Sequence, residues 1–267
     1  MRNALAIARK ELSIYFTTPL AYGVTTGMVL VSAFFFMSLL QTFVQMQEVA
    51  RAYTWARMPP DYNMYKNLTD GVIIPLWGIV IILVVFAAPL LSMGLFAREK
   101  RERTFELLMT APLRPWEIVA GKYLGGLGVT AATLGVNILF PVILAMFGAS
   151  ESGQALEWQT VALGFVGLML LGALAVAVTM LISAFTDVEL LAALIGIIVM
   201  LVWLLLRGAA QSSDDPLRSI VSYISLDTHL QGMMKGVLEV KGVVMFLSGI
   251  VFCLLLTHRK IESERWA

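Results

Sequence analysis

Apolar residues fall in blocks of about twenty along this chain, the length a helix needs to cross a bilayer, with short polar stretches between them. Six blocks qualify: Leu20–Leu40, Val72–Phe96, Trp116–Phe147, Val161–Phe185, Leu190–Leu206 and Val243–Thr257. The pattern predicts an all-α polytopic membrane protein with six transmembrane helices in a single domain over residues 1–267. Ahead of the first block, Leu5, Ala8, Leu12, Tyr15 and Phe16 share one helical face, and Arg2, Arg9, Lys10 and Ser13 lie largely on the other. That amphipathic stretch, 1–19, reads as an interfacial helix ended near Pro19. Arg9, Lys10 and Glu11 interrupt what a cleavable signal peptide would need as its apolar region.

Breakers and small residues refine the blocks. Spans one and two occupy 20–96, joined by a polar, aromatic loop, Glu48–Asp70, that Pro59-Pro60-Asp61 divides. Pro75 opens the second span, and Pro89 is expected to kink it. Spans three to five occupy 116–206. Gly121, Gly125 and Gly128 recur on one side of the third, as do Gly164, Gly167 and Gly172 in the fourth, permitting close helix approach. Asn137, near Pro141, either hydrogen-bonds a neighbouring helix, the commoner role of a buried amide, or lines a substrate path. Thr186-Asp187-Val188-Glu189 has the form of a capping box opening the fifth span, which Arg207 closes. The region 207–242 is too short and mixed to span. Its two helical pieces, one from Asp214 and one after Asp227 with Leu230, Met233, Met234, Val237 and Leu238 as its apolar set, read as outward re-entrant helices. Span six covers 243–257 and a tail 258–267 follows.

The densest charge lies between spans two and three, in the segment 97–115 and its flanks. Arg98, Lys100, Arg101, Arg103, Arg114 and Lys122 supply the positive side, and Glu99, Glu102, Glu106 and Glu117 the negative. Within it Thr104 is placed to cap a short helix with Glu106 in its first turn and Phe105, Leu107, Leu108 and Met109 as apolar members. Pro112 stops that helix and Pro115 suits the first turn of the next. A short amphipathic helix between two spans is a handle for a cytoplasmic partner.

Charge then sets orientation. With both ends inside, twelve of the 19 Lys and Arg residues are cytoplasmic, three at the N-terminus, six in the central segment and three at the C-terminus, against seven outside. Positive residues gather on the cytoplasmic side of membrane proteins, so six spans with both termini cytoplasmic are expected. Ser150–Glu157, an acidic loop without Lys or Arg, agrees. The composition, 59% hydrophobic and 14% charged with a net charge of +1, gives no basic face for nucleic acid. Cys253, alone, cannot close an intrachain disulfide.

Catalytic chemistry is not legible. Gly121-Lys122 precedes Tyr123, and Trp116 stands where a phosphate loop needs its first glycine. His229 and His258, the two histidines, fall on opposite sides of the membrane in this topology, so no metal site or Ser-His pair is expected. No charged pair is expected in mid-span, where a proton relay would need one. The chain is read as a non-enzyme with no cofactor or metal of its own.

The run E-K-R-E-R-T-F-E-L-L-M-T-A-P-L-R-P-W-E-I-V-A-G-K-Y resembles the signature loop of type-2 ABC transporter permeases, in the branch that contains the gliding-motility GldF and copper-processing NosY proteins. The leading A-R-K-E-L-S-I-Y-F-T-T-P-L-A-Y and the trailing H-L-Q-G-M-M-K-G-V-L-E-V-K-G-V-V extend the likeness over nearly the whole chain. Arg103 departs from it, standing where many relatives have glycine. The resemblance implies a transmembrane subunit of an exporter in the inner membrane, paired with a second permease and served by two cytoplasmic ATP-binding subunits that hold the ATP. The helix Thr104–Thr110 would be the coupling helix seated in an ATPase cleft, with Phe105 and Leu108 on one face entering it. Arg98, Glu99, Arg101, Thr104, Phe105, Glu106, Leu107, Leu108, Thr110, Asp187 and Glu189 are the residues assigned to that contact. The alternative is a membrane scaffold or force-transmitting subunit, as in a motility machine, docked to a cytoplasmic ATPase without moving a solute.

Overall fold

The computed structural model describes residues 2–52, 67–110, 113–147, 156–211 and 225–265. Among them every regular element is helical: α1 (Arg2–Thr17), α2 (Pro19–Ala52), α3 (Ile74–Ser92), α4 (Gly94–Arg101), α5 (Phe105–Thr110), α6 (Pro115–Val136), α7 (Leu139–Phe147), α8 (Trp158–Ser183), α9 (Glu189–Gln211), α10 (Leu226–Met234) and α11 (Val240–Arg265), with one π-helical turn, Thr69–Ile73, leading into α3. Among the described residues six helical stretches are long and apolar enough to cross a membrane: Pro19–Val49, Thr69–Arg101, Pro115–Phe147, Trp158–Ser183, Glu189–Leu206 and Val240–Glu264. The protein is an all-α, multi-pass membrane protein.

Helix α8 is the axis. It packs against α3, α6, α9, α10 and α11. Its small residues explain why. A Cβ on Gly164 would lie 2.7 Å from the Trp77 ring, and one on Gly172 would lie 3.1 Å from Thr130 and 3.2 Å from Leu134. Large partners from α3 and α6 therefore seat directly on its backbone.

Helix α1 lies along α6. Its buried face differs from the expected one: Ala4, Ala8, Glu11 and Tyr15 are buried, while Leu5 and Phe16 are exposed. The glycine stripe of α6 decides this. A Cβ on Gly121 would meet Ile7 at 2.7 Å, and one on Gly125 would meet Glu11 at 2.5 Å. The stripe admits the side of α1 that carries Ile7, Ala8, Glu11 and Leu12 and leaves Leu5 and Phe16 facing outward.

Other boundaries shift for local reasons. The first span continues as helix to Ala52, past the point where Glu48 was expected to open a loop. Residues 53–66 of that loop, the acidic loop from Ser150 to Ala155, Pro112 and the piece beginning at Asp214 lie outside the described residues. The third span is interrupted at Asn137–Ile138. Asn137 is fully buried and its amide donates to its own helix at Thr133 O, 3.4 Å, while Thr133 itself makes the interhelical hydrogen bond, to Thr25 at 2.9 Å. The capping box does not form as expected. Thr186 Oγ1 accepts from Val188 N at 3.2 Å, α9 starts only at Glu189, and the Glu189 carboxylate turns to arginines elsewhere. Helix α10 ends at Met234, so Val237 and Leu238 lie beyond it and are exposed. The last span has no separate tail over 258–265, because α11 carries His258, Arg259 and Lys260 on to Arg265 without a break.

Candidate functional site

The charged segment between spans two and three is built on a joint. Helix α3 passes through Pro89 and loses its regular ladder one turn later, at Met93. There the Ser183 hydroxyl, from the end of α8, donates to Met93 O at 2.7 Å and accepts from Ala97 N at 2.8 Å and Phe96 N at 3.1 Å. Ala97 to Met93 is the step a helical hydrogen bond would span. The serine inserts into it and keeps both groups bonded, a recognised cause of helix bending. Pro89, the expected kink, lies one turn ahead of this opening.

Helix α4 then ends on a left-handed residue. Arg103 has φ 56°. Thr104 N donates to Glu99 O at 3.0 Å and Arg103 N to Lys100 O at 3.1 Å. These are the paired bonds of a Schellman cap, whose left-handed position normally takes glycine. That accounts for the glycine expected before the Thr-Phe-Glu-Leu-Leu run, and the Arg here accepts a backbone cost of about 1 kcal/mol. Thr104 belongs to this cap of α4, its hydroxyl 3.4 Å from Glu99 O.

Directly after the reversal, α5 displays two kinds of side chain. Phe105 is turned inward, 9% exposed, its ring edge-on to Phe96 at 6.3 Å with the Lys100 ammonium 5.3 Å from its centroid. Leu107 points the other way, 71% exposed, and Glu106 and Thr110 are also exposed. The side chain of Leu108 lies outside the described residues. Among the described side chains of α5, Leu107 is the apolar one that faces outward, whereas Phe105 holds α5 to α4. A cleft of 440 Å³ beside it is lined by Lys100, Arg103, Phe105, Glu106, Thr110 and Glu264.

The four consecutive charges of α4 reach four other helices. Arg98 and Arg101, three apart and so on one face, both contact Glu189 of α9, at 3.4 and 2.7 Å. Glu99 meets Lys122 of α6 at 2.9 Å and Lys10 of α1 at 3.7 Å. Lys100 meets Glu264 of α11 at 2.8 Å and the Ala184 carbonyl at 2.6 Å. Glu264 also takes Lys260 at 3.0 Å. Arg98, Glu99, Arg101 and Glu189 are thus engaged inside the chain. Asp187 is exposed in the turn before α9.

Lys122 was counted among the positive charges of the segment and its flanks, and no charged pair was expected in mid-span. The structure buries this lysine with charged partners near the start of the third span. Lys122 is 1% exposed, seven residues into the third span and so about 10 Å along it, hydrogen-bonded to Glu11 Oε1 at 2.8 Å and Leu95 O at 2.6 Å. Glu11, Glu99, Lys10, Arg98 and Tyr15 border the adjoining cavity of 250 Å³. Burial, reinforced by the Glu11 carboxylate, holds the Tyr15 phenol above its usual range, so it stays a neutral hydroxyl there. Ser183, Lys122 and Glu11 were all missed from sequence. The available signal was a lysine set in an apolar run, Val119-Ala120-Gly121-Lys122-Tyr123, and a glutamate one helical turn from Ala8.

Among the described residues no group of His, Cys, Asp and Glu is placed to hold a metal ion. No curated protein matches the chain. Residues 5–257 match the family described as ABC-2 family transporter protein. With that match over nearly its whole length, and six apolar helices among the described residues, the chain belongs to the ABC-2 transporter family as a multi-pass permease subunit of an ABC transporter.

Proposed function

We propose that this permease moves a substrate out across the inner membrane, both termini cytoplasmic, using ATP hydrolysed by two separate subunits that dock on α5. The observation that carries the reading is the display of α5. It is a short helix held between two spans, presenting exposed Leu107 and Glu106 while its other side is fixed by Phe105 to a helix ion-paired with four more. A push on such a helix is delivered to the spans and is not absorbed in a loop. A single apolar anchor in a partner's pocket often carries about 2 kcal/mol or more of binding, and rim charges much less.

A second permease completes the assembly in this reading. The outer faces of α2 and α9, with Leu30, Phe34, Met37, Ile198, Val202 and Leu205 exposed, are apolar enough for pairing or for lipid. The likeness to the gliding-motility and copper-processing branch belongs to the same reading and names no substrate.

Co-purification of the ATPase subunits tests it. Leu107→Glu should abolish recovery of the ATPase with membrane insertion intact, and Glu102→Ala, at an exposed charge, should change it less than threefold. ATPase recovery undiminished by Leu107→Glu would remove α5 as the docking point. Hydrolysis in the assembled complex that no transported solute stimulates would favour force transmission over export.

A further inference from the structure

We propose that Lys122 is a positioning residue for coupling: its contacts with Glu11 and Glu99 bind α1 and α4 to α6 as one unit, so that a displacement of α5 is passed to the N-terminal helix. The inference rests on the reading of α5 as the ATPase contact, and extends it to an element 94 residues or so away in sequence that no contact with the ATPase requires.

The geometry is that of a joint with three arms. An ammonium has three protons to give, and three oxygens surround this one: Glu11 Oε1 from α1 at 2.8 Å, Glu99 Oε1 from α4 at 2.9 Å and Leu95 O, also from α4, at 2.6 Å. The Phe96 ring lies under it, 5.2 Å to the centroid. Phe96 in turn meets Phe105 of α5 edge-on at 6.3 Å. An unbroken line of contacts therefore runs from α5 through Phe96 to Lys122 and on to Glu11.

A second observation points the same way. Gly121 and Gly125 flank Lys122, and any Cβ there would collide with Ile7 or Glu11. The close seating of α1 is what lets the short Glu11 side chain reach the lysine. Stability alone does not call for ions here, since apolar groups of similar volume in place of a buried ionic triad are often as stable or more so. What the triad adds is register: a slide of α1 or α4 by one turn would strand a buried charge, so the three helices move together or not at all.

The experiment uses the permease–ATPase complex on a Cys253→Ala background, with reporter labels on Ser13→Cys of α1 or Thr110→Cys of α5, both exposed positions. The change in label environment between ADP-bound and ATP-bound states is read. In the wild-type triad both labels should respond. In Lys122→Met/Glu11→Gln/Glu99→Gln, which buries no charge, the Ser13 response should fall at least fivefold with the Thr110 response retained. Glu11→Gln alone, the mildest change, should lower it about threefold by loss of one charged contact. Reversed polarity, Lys122→Glu/Glu11→Lys/Glu99→Gln, should recover at least half, which a purely structural role would not predict. A full Ser13 response in the neutral triple variant or in Glu11→Gln, or a wild-type Ser13 label that is silent while Thr110 responds, overturns this proposal alone. A silent Thr110 label in the wild type overturns the α5 reading and this proposal with it.

Discussion

Helices α8 and α9 are neighbours in sequence and alike in hydrophobicity, yet 67% of the apolar window of α8 is buried inside the protein against 22% of that of α9. Size separates them. Helix α8 alternates Gly and Ala with larger residues, and Gly164, Gly167, Gly172, Ala173, Ala175 and Ala177 are all buried. Helix α9 puts Ala192, Ala193 and Met200 inward, with Leu194, Ile198, Val202 and Leu205 exposed. In water a buried face is found by its hydrophobicity. In a bilayer both faces are apolar, and the face that meets protein is the one with small residues, because contact there depends on fit.

Substitutions can break that contrast, and thermal unfolding in detergent measures each. The largest effect is expected at Gly164→Leu, where even a Cβ falls 2.7 Å from the fully buried Trp77 ring. Overpacking of that kind should cost about 3 kcal/mol. Next comes Gly196→Leu, on the inward edge of α9. Its Cβ meets Thr179 Oγ1 at 2.7 Å and Pro89 at 3.4 Å, and a loss of about 2 kcal/mol would show that α9 has one α8-like face. Glu189→Gln at the start of α9 removes the carboxylate between Arg98 and Arg101. Arg101 is largely exposed, so screening reduces the cost to about 1 kcal/mol. Ile198→Ala, on the outer face, should change stability by less than about 0.5 kcal/mol in the isolated permease. A large loss there, with Gly164→Leu tolerated, would invert the comparison.

Much of this was legible in the sequence, for a physical reason. Span length and charge placement are local properties, so the six apolar stretches and the helix around Phe105 emerge from composition and breakers alone. The glycine stripe of α6 announced a close approach without naming the partner, since nothing in Gly121, Gly125 and Gly128 specifies α1. Pairing of charges was illegible. Lys122 looked like one more basic residue of a cytoplasmic segment, and its partner Glu11 lies 111 residues away. Facing was also hard to read over six residues. Phe105 and Leu107 are both apolar members of α5, and only the reversal at Arg103 fixes which one turns inward. The opening of the second span at Met93 had no local sign, because the group that holds it comes from α8.

Ser183 has a consequence for the order in which the protein is made. The amides of Phe96 and Ala97 wait for a hydroxyl 87 and 86 residues further along the chain. Lys100 waits longer, for Glu264, 164 residues on and at the end of the last helix. During synthesis from the N-terminus, the charged segment therefore leaves the ribosome early and stays unfinished until α11 has been made. The long-range contacts that hold α4, to which Phe105 ties the helix bearing exposed Leu107, are complete only when α8 and α11 are in place. If an ATPase subunit docks on α5 as proposed, it would engage complete permeases and pass over nascent ones, and the wiring of the joint would double as a check on assembly.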